Sequence, residues 1–327
     1  MKRHDVIVVG GGPAGSACAA RLVAAGRDVL VLDREAFPRT KLCAGWITPE
    51  VVRDLAFDPG AYPHRFNTFD GIVVHMKGLR FTLSNPQHSI RRYEFDAWLL
   101  ERSGAPVIRH NVREVRAVSG GYTLDGIWHA RHVVGAAGTR CPVYRCLFRD
   151  ANPRATQLQA ATLEQEFAYD WHDSRCHLWF FDKGLPGYSW YVPKADGWLN
   201  CGLGAMATRL SAGRQDIRAH WRHFTGVLER AGFVTGEPLD PKGYSYFLRG
   251  NVDTVRIGNA FLTGDAAGLA TRDLCEGIGP AIRSGQRAAA AIAEGAHYTL
   301  HDLDAYSAGR GWVRWVLERM FAGAATR

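Results

Sequence analysis

The sequence predicts an α/β fold in which a parallel β/α layer, assembled from separated segments, is interrupted by an antiparallel-sheet region. Three observations predict it. A glycine turn joins a short β-branched run to an alanine-rich stretch at the start of the chain, strands without intervening helices fill the middle, and β/α alternation returns near residue 260. The 327 residues, 46% hydrophobic and 22% charged, suffice to bury a substantial core and exclude a disordered chain.

Asp5 to Val9 reads as a strand, Ser16 to Ala25 as a helix and Asp28 to Leu32 as a second strand, which together make a βαβ unit. GIVVHM and LRFTLS, within Gly71 to Ser84, read as two strands outside that alternation. Phe95, Trp98, Leu99 and Leu100 recur at helical spacing between Tyr93 and Ser103, and Val133 to Gly138 is a strand running into glycines. From about Gln157 to Met206 the alternation in HLWFFD, YSWYVPK and WLNCGLG predicts an antiparallel layer, followed by a helix near Asp216 to Ala231. Ala260 to Thr263 is then a strand, and Gly279 to Ala293 an alanine-rich helix.

The 7 cysteines are scattered, without a CxxC pair or zinc-site spacing, which fits a reducing cytoplasm. His220-x-x-His223 and His297-x-x-x-His301 lack a completing carboxylate or thiolate, so no metal is expected. Four apolar residues before the first glycine are too few for a secretory segment, and no run of 18 apolar residues spans a membrane. The net charge of +8 favours an anionic partner or simply a basic surface, and no nucleic-acid partner is expected.

Gly10, Gly12 and Gly15 form G-x-G-x-x-G between a strand and a helix, with Asp33 at the end of the next strand. In that context the first glycine permits a tight turn, the second lets backbone N–H groups approach a pyrophosphate, and the third allows close helix packing. Pro13 and Ala14 complete the turn, Asp33 is placed to accept ribose hydroxyls, and Arg34 follows it. Both NAD and FAD fit this triplet. AFLTGDAAG, Ala260 to Gly268, decides for FAD: Gly264 and Asp265 at a strand end resemble the ribityl-binding turn of glutathione-reductase-like flavoproteins, although Asp265 also suits a simple helix cap.

Further segments carry a wider resemblance along nearly the whole chain. Lys41-Leu-Cys-Ala-Gly45, Arg92-Tyr-Glu-Phe-Asp96, Val134-Gly-Ala-Ala-Gly138, Tyr188-Ser-Trp-Tyr-Val-Pro-Lys194 with Asn200-Cys-Gly-Leu-Gly204, and Glu276-Gly-Ile-Gly-Pro280 resemble the geranylgeranyl reductase family, which is related to aromatic hydroxylases and flavin-dependent halogenases. The resemblance implies that Lys41, Cys43, Ala44, Arg92 and Gly138 lie near the flavin, and that Gly277, Ile278 and Gly279 open a helix against its ring. There, free N–H groups are expected to stabilise negative charge on reduced flavin. Ala137, where relatives often carry aspartate, and Arg272-Asp-Leu-Cys275, in place of a proline-x-threonine-glycine stretch, depart from the pattern. The chain is also shorter than most members.

Cys43 and Cys275 are the candidates for proton or redox chemistry, with space filling as the competing role. Tyr188, Trp190 and Tyr191 are expected either to line an apolar substrate pocket or to pack as core. The basic, apolar stretch Gly311 to Phe321 fits a helix lying on a membrane interface or docked on its own domain. The implied domains are 1–65, 88–150 and 250–295 for FAD, 66–87 and 151–249 for an antiparallel-sheet substrate domain, and 296–327 for a C-terminal helical segment. The expected activity is reduction of carbon–carbon double bonds in an apolar, isoprenoid-like substrate, with NADPH or an electron-donor protein as the source of electrons. An FAD-dependent monooxygenase or halogenase acting on an aromatic, or a non-enzymatic flavoprotein, are the alternatives. The location expected is cytoplasmic, with peripheral contact at the inner face of the membrane as a further reading.

Overall fold

The computed structural model of the chain describes residues 1–305 and 307, so the Gly311 to Phe321 stretch lies outside the described residues. Among the described residues the chain is mixed α/β, with two eight-stranded sheets. It divides into two compact units, one of residues 1–39, 93–155 and 247 onward, the other of residues 40–92 and 156–246.

Numbered along the whole chain, the first unit contains β1 (Lys2–Val9), α1 (Pro13–Ala24), β2 (Val29–Asp33), α3 (Arg92–Arg102, whose first residue belongs to the other unit), β6 (Val107–Arg109), β7 (Val115–Val118), β8 (Gly121–Leu124), β9 (Trp128–Gly135), β15 (Arg256–Ile257), β16 (Ala260–Leu262) and α6 (Ile278–Ala293). Its sheet runs β15-β16-β9-β1-β2-β6, with β7 and β8 continuing from β9. The pairs β1/β2, β1/β9, β9/β16 and β2/β6 are parallel. Val6 to Val9 are buried on both faces of β1, the burial a central parallel strand requires, which explains their unbroken β-branched run. Helices α1 and α6 pack closely: a Cβ on Gly285 would fall 2.1 Å from the Ala14 carbonyl oxygen.

The hairpin β7–β8 is absent from the sequence expectation. Its strands are only four residues each, too short to show a period, and are joined through Gly120 in the left-handed region (φ +81°). Residues 296–305 contain no helix where a helical segment was expected. They are tied down individually: the Tyr298 hydroxyl donates to the Leu262 carbonyl at 2.5 Å, Arg287 donates to the Thr299 carbonyl at 3.0 Å, and Arg249 donates to the Leu300 carbonyl.

The second unit contains β3 (Trp46–Ile47), α2 (Pro49–Asp54), β4 (Asn67–Met76), β5 (Leu79–Ser89), β10 (Gln159–Ala168), β11 (Cys176–Phe180), β12 (Gly187–Lys194), β13 (Trp198–Met206), α4 (Ala207–Ala212), α5 (Ile217–Arg230) and most of β14 (Lys242–Phe247). The sheet order is β14-β10-β13-β12-β11-β4-β5-β3. Neighbours β10/β13, β13/β12, β12/β11, β4/β5 and β5/β3 are antiparallel, and β11/β4 are parallel. The sequence boundary at 65/66 falls here at 39/40, because β3 pairs with β5 and carries the preceding loop into this unit.

One face of this sheet packs against α5. Asp216 caps that helix by accepting the Arg218 N–H at 2.9 Å, and the buried Trp221, Phe224 and Leu228 meet Trp179, Tyr191, Leu199 and Leu203 in one apolar cluster. Alternation then sends Tyr188, Trp190, Lys194, Asn200 and Glu164 to the opposite face.

Candidate functional site

In the first unit the chain must turn immediately where β1 ends. Gly10 does so at φ +111°, in a place where a Cβ would come within 2.5 Å of the Ala136 carbonyl group. A Cβ on Gly15 would sit 1.8 Å from the Gly10 oxygen, so only glycine lets α1 start this close to the strand. The Asp33 carboxylate accepts the Gly11 N–H at 2.7 Å and the Glu35 N–H at 2.9 Å, which fixes its position at the end of β2. Helix α1 begins with Pro13, has no side-chain cap and carries no acidic residue in its first turn. Its positive end is left for an external anion.

Arg39, which sequence reasoning missed, stands over this turn. A Cβ on Gly12 would lie 3.3 Å from its Nη2, and that nitrogen is 3.1 Å from the fully buried Asp96 carboxylate. Its Nη1 is buried with no hydrogen-bond partner among the described residues. A buried guanidinium N–H without a partner is costly unless a ligand takes it, so the turn fits a pyrophosphate. Asp96, inside the R-x-x-F-D segment, was the available signal, but the pairing is tertiary. Arg34 is not brought to the turn: its side chain is 61% exposed, with Nε 3.5 Å from Glu35, because it follows the last buried residue of β2.

Strand β16 ends in a second turn. Gly264 (φ +54°) donates its N–H to Ser284 Oγ at 2.9 Å, and a Cβ there would press on Ala281 and Ala14. Asp265 follows, half-buried, with its Oδ1 3.4 Å from where a Gly277 Cβ would lie. Gly138 (φ +71°) opens a single turn after β9, and Arg154 ties it to the Asp265 turn by donating to the Thr139 and Ala266 carbonyls.

The start of α6 differs from expectation. Gly277 is its N-cap, but the Gly279 N–H is already donated to Glu276 Oε1 at 2.6 Å. Glu276 is itself anchored, its N–H donating to Thr271 Oγ1 at 2.9 Å and its carbonyl accepting the Thr271 N–H at 2.8 Å. Burial pushes its carboxyl up to about 7 despite the helix amides and Arg283. The negative charge expected from a ligand at this helix end is thus supplied in part by the chain. Cys275 precedes it, half-buried and left-handed (φ +57°).

In the second unit Lys194 is 1% exposed and donates to three carbonyls, Ala44 at 2.6 Å, Ile90 at 2.7 Å and Gly45 at 3.2 Å. All three ammonium protons are used, so this lysine is a clamp on the loop of residues 43–45. Asn200 completes the fixture: its Nδ2 donates to the Cys43 carbonyl at 3.3 Å, and its Oδ1 accepts the Trp190 indole N–H at 2.7 Å. The Trp190 ring lies over Gly202, where a Cβ would be 2.2 Å from it. Lys41 Nζ sits 3.3 Å above the Tyr244 ring centroid.

Glu164, also missed, is 3% exposed beside Gly202 and accepts the Cys43 N–H. Burial raises its carboxyl to about 7, opposed by Lys41, the Cys43 N–H and Lys194. Alternation makes Thr162, Glu164 and Glu166 a polar row on β10. Of the expected pocket residues, Tyr188 and Trp190 share the Glu164 face. Tyr191 does not. It packs in the α5 core, 4.9 Å from the Phe233 ring, and its hydroxyl donates to the Asp173 carbonyl at 3.2 Å. The odd and even positions of one strand cannot line the same surface. Arg92 is buried at the first residue of α3.

A glycine turn with a fixed carboxylate, a guanidinium whose buried Nη1 has no partner among the described residues, and a second carboxylate-bearing turn define an FAD-dependent oxidoreductase, and the family model described as DAO, FAD dependent oxidoreductase, matches residues 5–67. The chain is 31% identical to the menaquinone reductase of Mycobacterium tuberculosis over 317 residues, covering 87% of this chain and 75% of that protein. It is 29% identical to digeranylgeranylglycerophospholipid reductase 1 of Methanopyrus kandleri, covering 80% of this chain and 73% of that one. A geranylgeranyl bacteriochlorophyll reductase-like structure from Thermoplasma acidophilum shares the fold at a TM-score of 0.77 and 20% identity, over 90% of this chain and 79% of that chain. The chain belongs to the geranylgeranyl reductase family of FAD-dependent oxidoreductases.

Proposed function

We propose that this chain reduces carbon–carbon double bonds in an apolar, isoprenoid-type substrate, and that its first unit is of the glutathione-reductase-like FAD class. The observation that carries the reading is the buried aromatic pair Tyr188 and Trp190, both about 5% exposed or less, in a chain whose relatives are named as menaquinone and digeranylgeranylglycerophospholipid reductases. Bound FAD supplies the hydride. The protein's share is to orient: Gly10, Gly12, Pro13, Ala14 and Gly15 with Arg39 would hold the pyrophosphate, Asp33 the ribose and Asp265 the ribityl chain. In the second unit, Lys194 and Asn200 hold the 43–45 loop and Trp190 in place. NADPH or a donor protein would supply electrons.

The test is anaerobic reduction of the purified yellow protein, followed by mixing with a short-chain polyprenyl quinone and, separately, with oxygen and an aromatic acid. Reoxidation by the polyprenyl compound, with two hydrogens added to a side-chain alkene by mass spectrometry, is expected. Coupled oxygen or halogen insertion into the aromatic, with the alkene untouched, overturns the reading.

A further inference from the structure

Between Gly71 and Ser84 the sequence GIVVHMKGLRFTLS sets an apolar residue at every second position on either side of a turn, and it carries Lys77 and Arg80 but no carboxylate. The register puts Ile72 opposite Leu83, Val74 opposite Phe81 and Met76 opposite Leu79, so these six side chains share one face of the β4–β5 hairpin. Through Leu178 and Phe180 on β11, that face continues to Trp190 and Tyr188 on β12. Burial fades along the hairpin toward its turn. Ile72 and Val74 are buried and Met76 is half-buried, whereas Leu79 is 66% exposed and Phe81 38%. Two residues apart on one strand, Leu79 and Phe81 are neighbours on the face and form a patch.

We propose that this hairpin tip docks on an anionic lipid bilayer, with Leu79 and Phe81 entering the headgroup region and Lys77 and Arg80 meeting lipid phosphates; the inference stands apart from the reductase reading. Three observations carry it. Lys77 (φ +50°) and Gly78 (φ +79°) are both left-handed, which makes the two-residue turn whose twist matches the strands it joins, so the tip is a fixed wedge. A Cβ on Gly78 would meet nothing within 4 Å, and the same holds for Gly184 in the turn after β11, so both turns project into open space. Because Phe180 pairs with Met76 in parallel, that second turn lies at the same end of the sheet and adds the exposed Lys183. Its acid, Asp182, is paired with His223 at 2.8 Å. Leu and Phe set among cations match the boundary of an anionic bilayer, where acyl chains take the apolar groups and phosphates the basic ones. A protein partner matches less well, since a stable interface engages about 20 residues a side and the tip is a convex turn of a few.

The experiment sediments the FAD-loaded chain, without substrate, with phosphatidylcholine vesicles that contain or lack phosphatidylglycerol. Wild type is compared with the double variants Leu79→Thr/Phe81→Thr and Lys77→Gln/Arg80→Gln. Thr suits a strand and Gln keeps the side chain long, so both variants are expected to keep the flavin and to unfold at the wild-type temperature. Wild type is expected to bind the anionic vesicles about tenfold or more tightly than the neutral ones. The apolar variant is expected to lose about tenfold or more of that binding, and the basic variant most of the preference for anionic lipid. Wild type that leaves the vesicles unbound overturns the proposal. So do variants that both bind as wild type does, which moves the contact elsewhere, the Gly311 to Phe321 stretch included. A lower solution mass for Leu79→Thr/Phe81→Thr by light scattering, without lipid, assigns the patch to a second copy of the chain and overturns it too. None of these outcomes depends on alkene reduction, so the two readings fail separately.

Discussion

Asp33 shows how a single side chain can be legible in sequence while its neighbours are not. Its distance from the glycine triplet marks it, and the structure adds that its two oxygens already hold the Gly11 and Glu35 N–H groups. Asp33→Asn replaces one acceptor oxygen with a donor and removes the charge. FAD affinity is expected to drop about 10- to 100-fold in a fluorescence titration, the weight of a charged hydrogen bond; unchanged affinity would remove Asp33 from the cofactor site. Arg39 and Glu164 were not legible, because what singles them out is a partner distant in sequence, Asp96 for one and the Cys43 amide for the other.

Among the elements, those with strong periodicity or unbroken apolar runs were readable: β1, α1, β12, α5 and α6 fall within a few residues of their expected places. The short strands β3, β6, β7 and β8 owe their existence to a neighbour and leave no periodic trace. The same distinction explains Tyr191, where the strand was right but the choice of face needed the position of α5. Helix packing supplies the sharpest element-scale prediction. Gly285→Val places a side chain where even a Cβ meets the Ala14 carbonyl, so α6 must separate from α1. Thermal unfolding is expected to show a loss of about 3 kcal/mol or more, with flavin released.

For the molecule as a whole, buried titrating groups pull stability in opposite directions with pH. Glu276 has a folded value near 7, above the ordinary glutamate range, so the folded state holds its proton longer. The stability it contributes is present below about pH 4.5 and is lost as pH rises through 7, by up to about 3 kcal/mol. His177 works the other way. Burial lowers it to about 4, against Asp173 Oδ2 at 3.1 Å on one nitrogen and with His75 Nε2 at 3.0 Å on the other. The stability associated with its neutral ring is present above about pH 6.5 and lost as pH falls toward 4. In melts of the flavin-free protein, Glu276→Gln is expected to gain on wild type between pH 5 and pH 8, leaving the acid side unchanged. A parallel offset at every pH would show that Glu276 does not titrate in this range.

The central strand β1 has partners at opposite ends of the chain's history. Hydrogen bonds reach it from β2 at Val29–Asp33, from β9 only at Trp128–Gly135, and β9 in turn waits for β16 at Ala260–Leu262. During synthesis, therefore, the glycine turn gains its β9 neighbour only after residue 135 and the turn after β16 only after residue 262. Flavin loading is therefore expected only after β16 is made, and a chain cut short before it would leave the β9 edge unpaired.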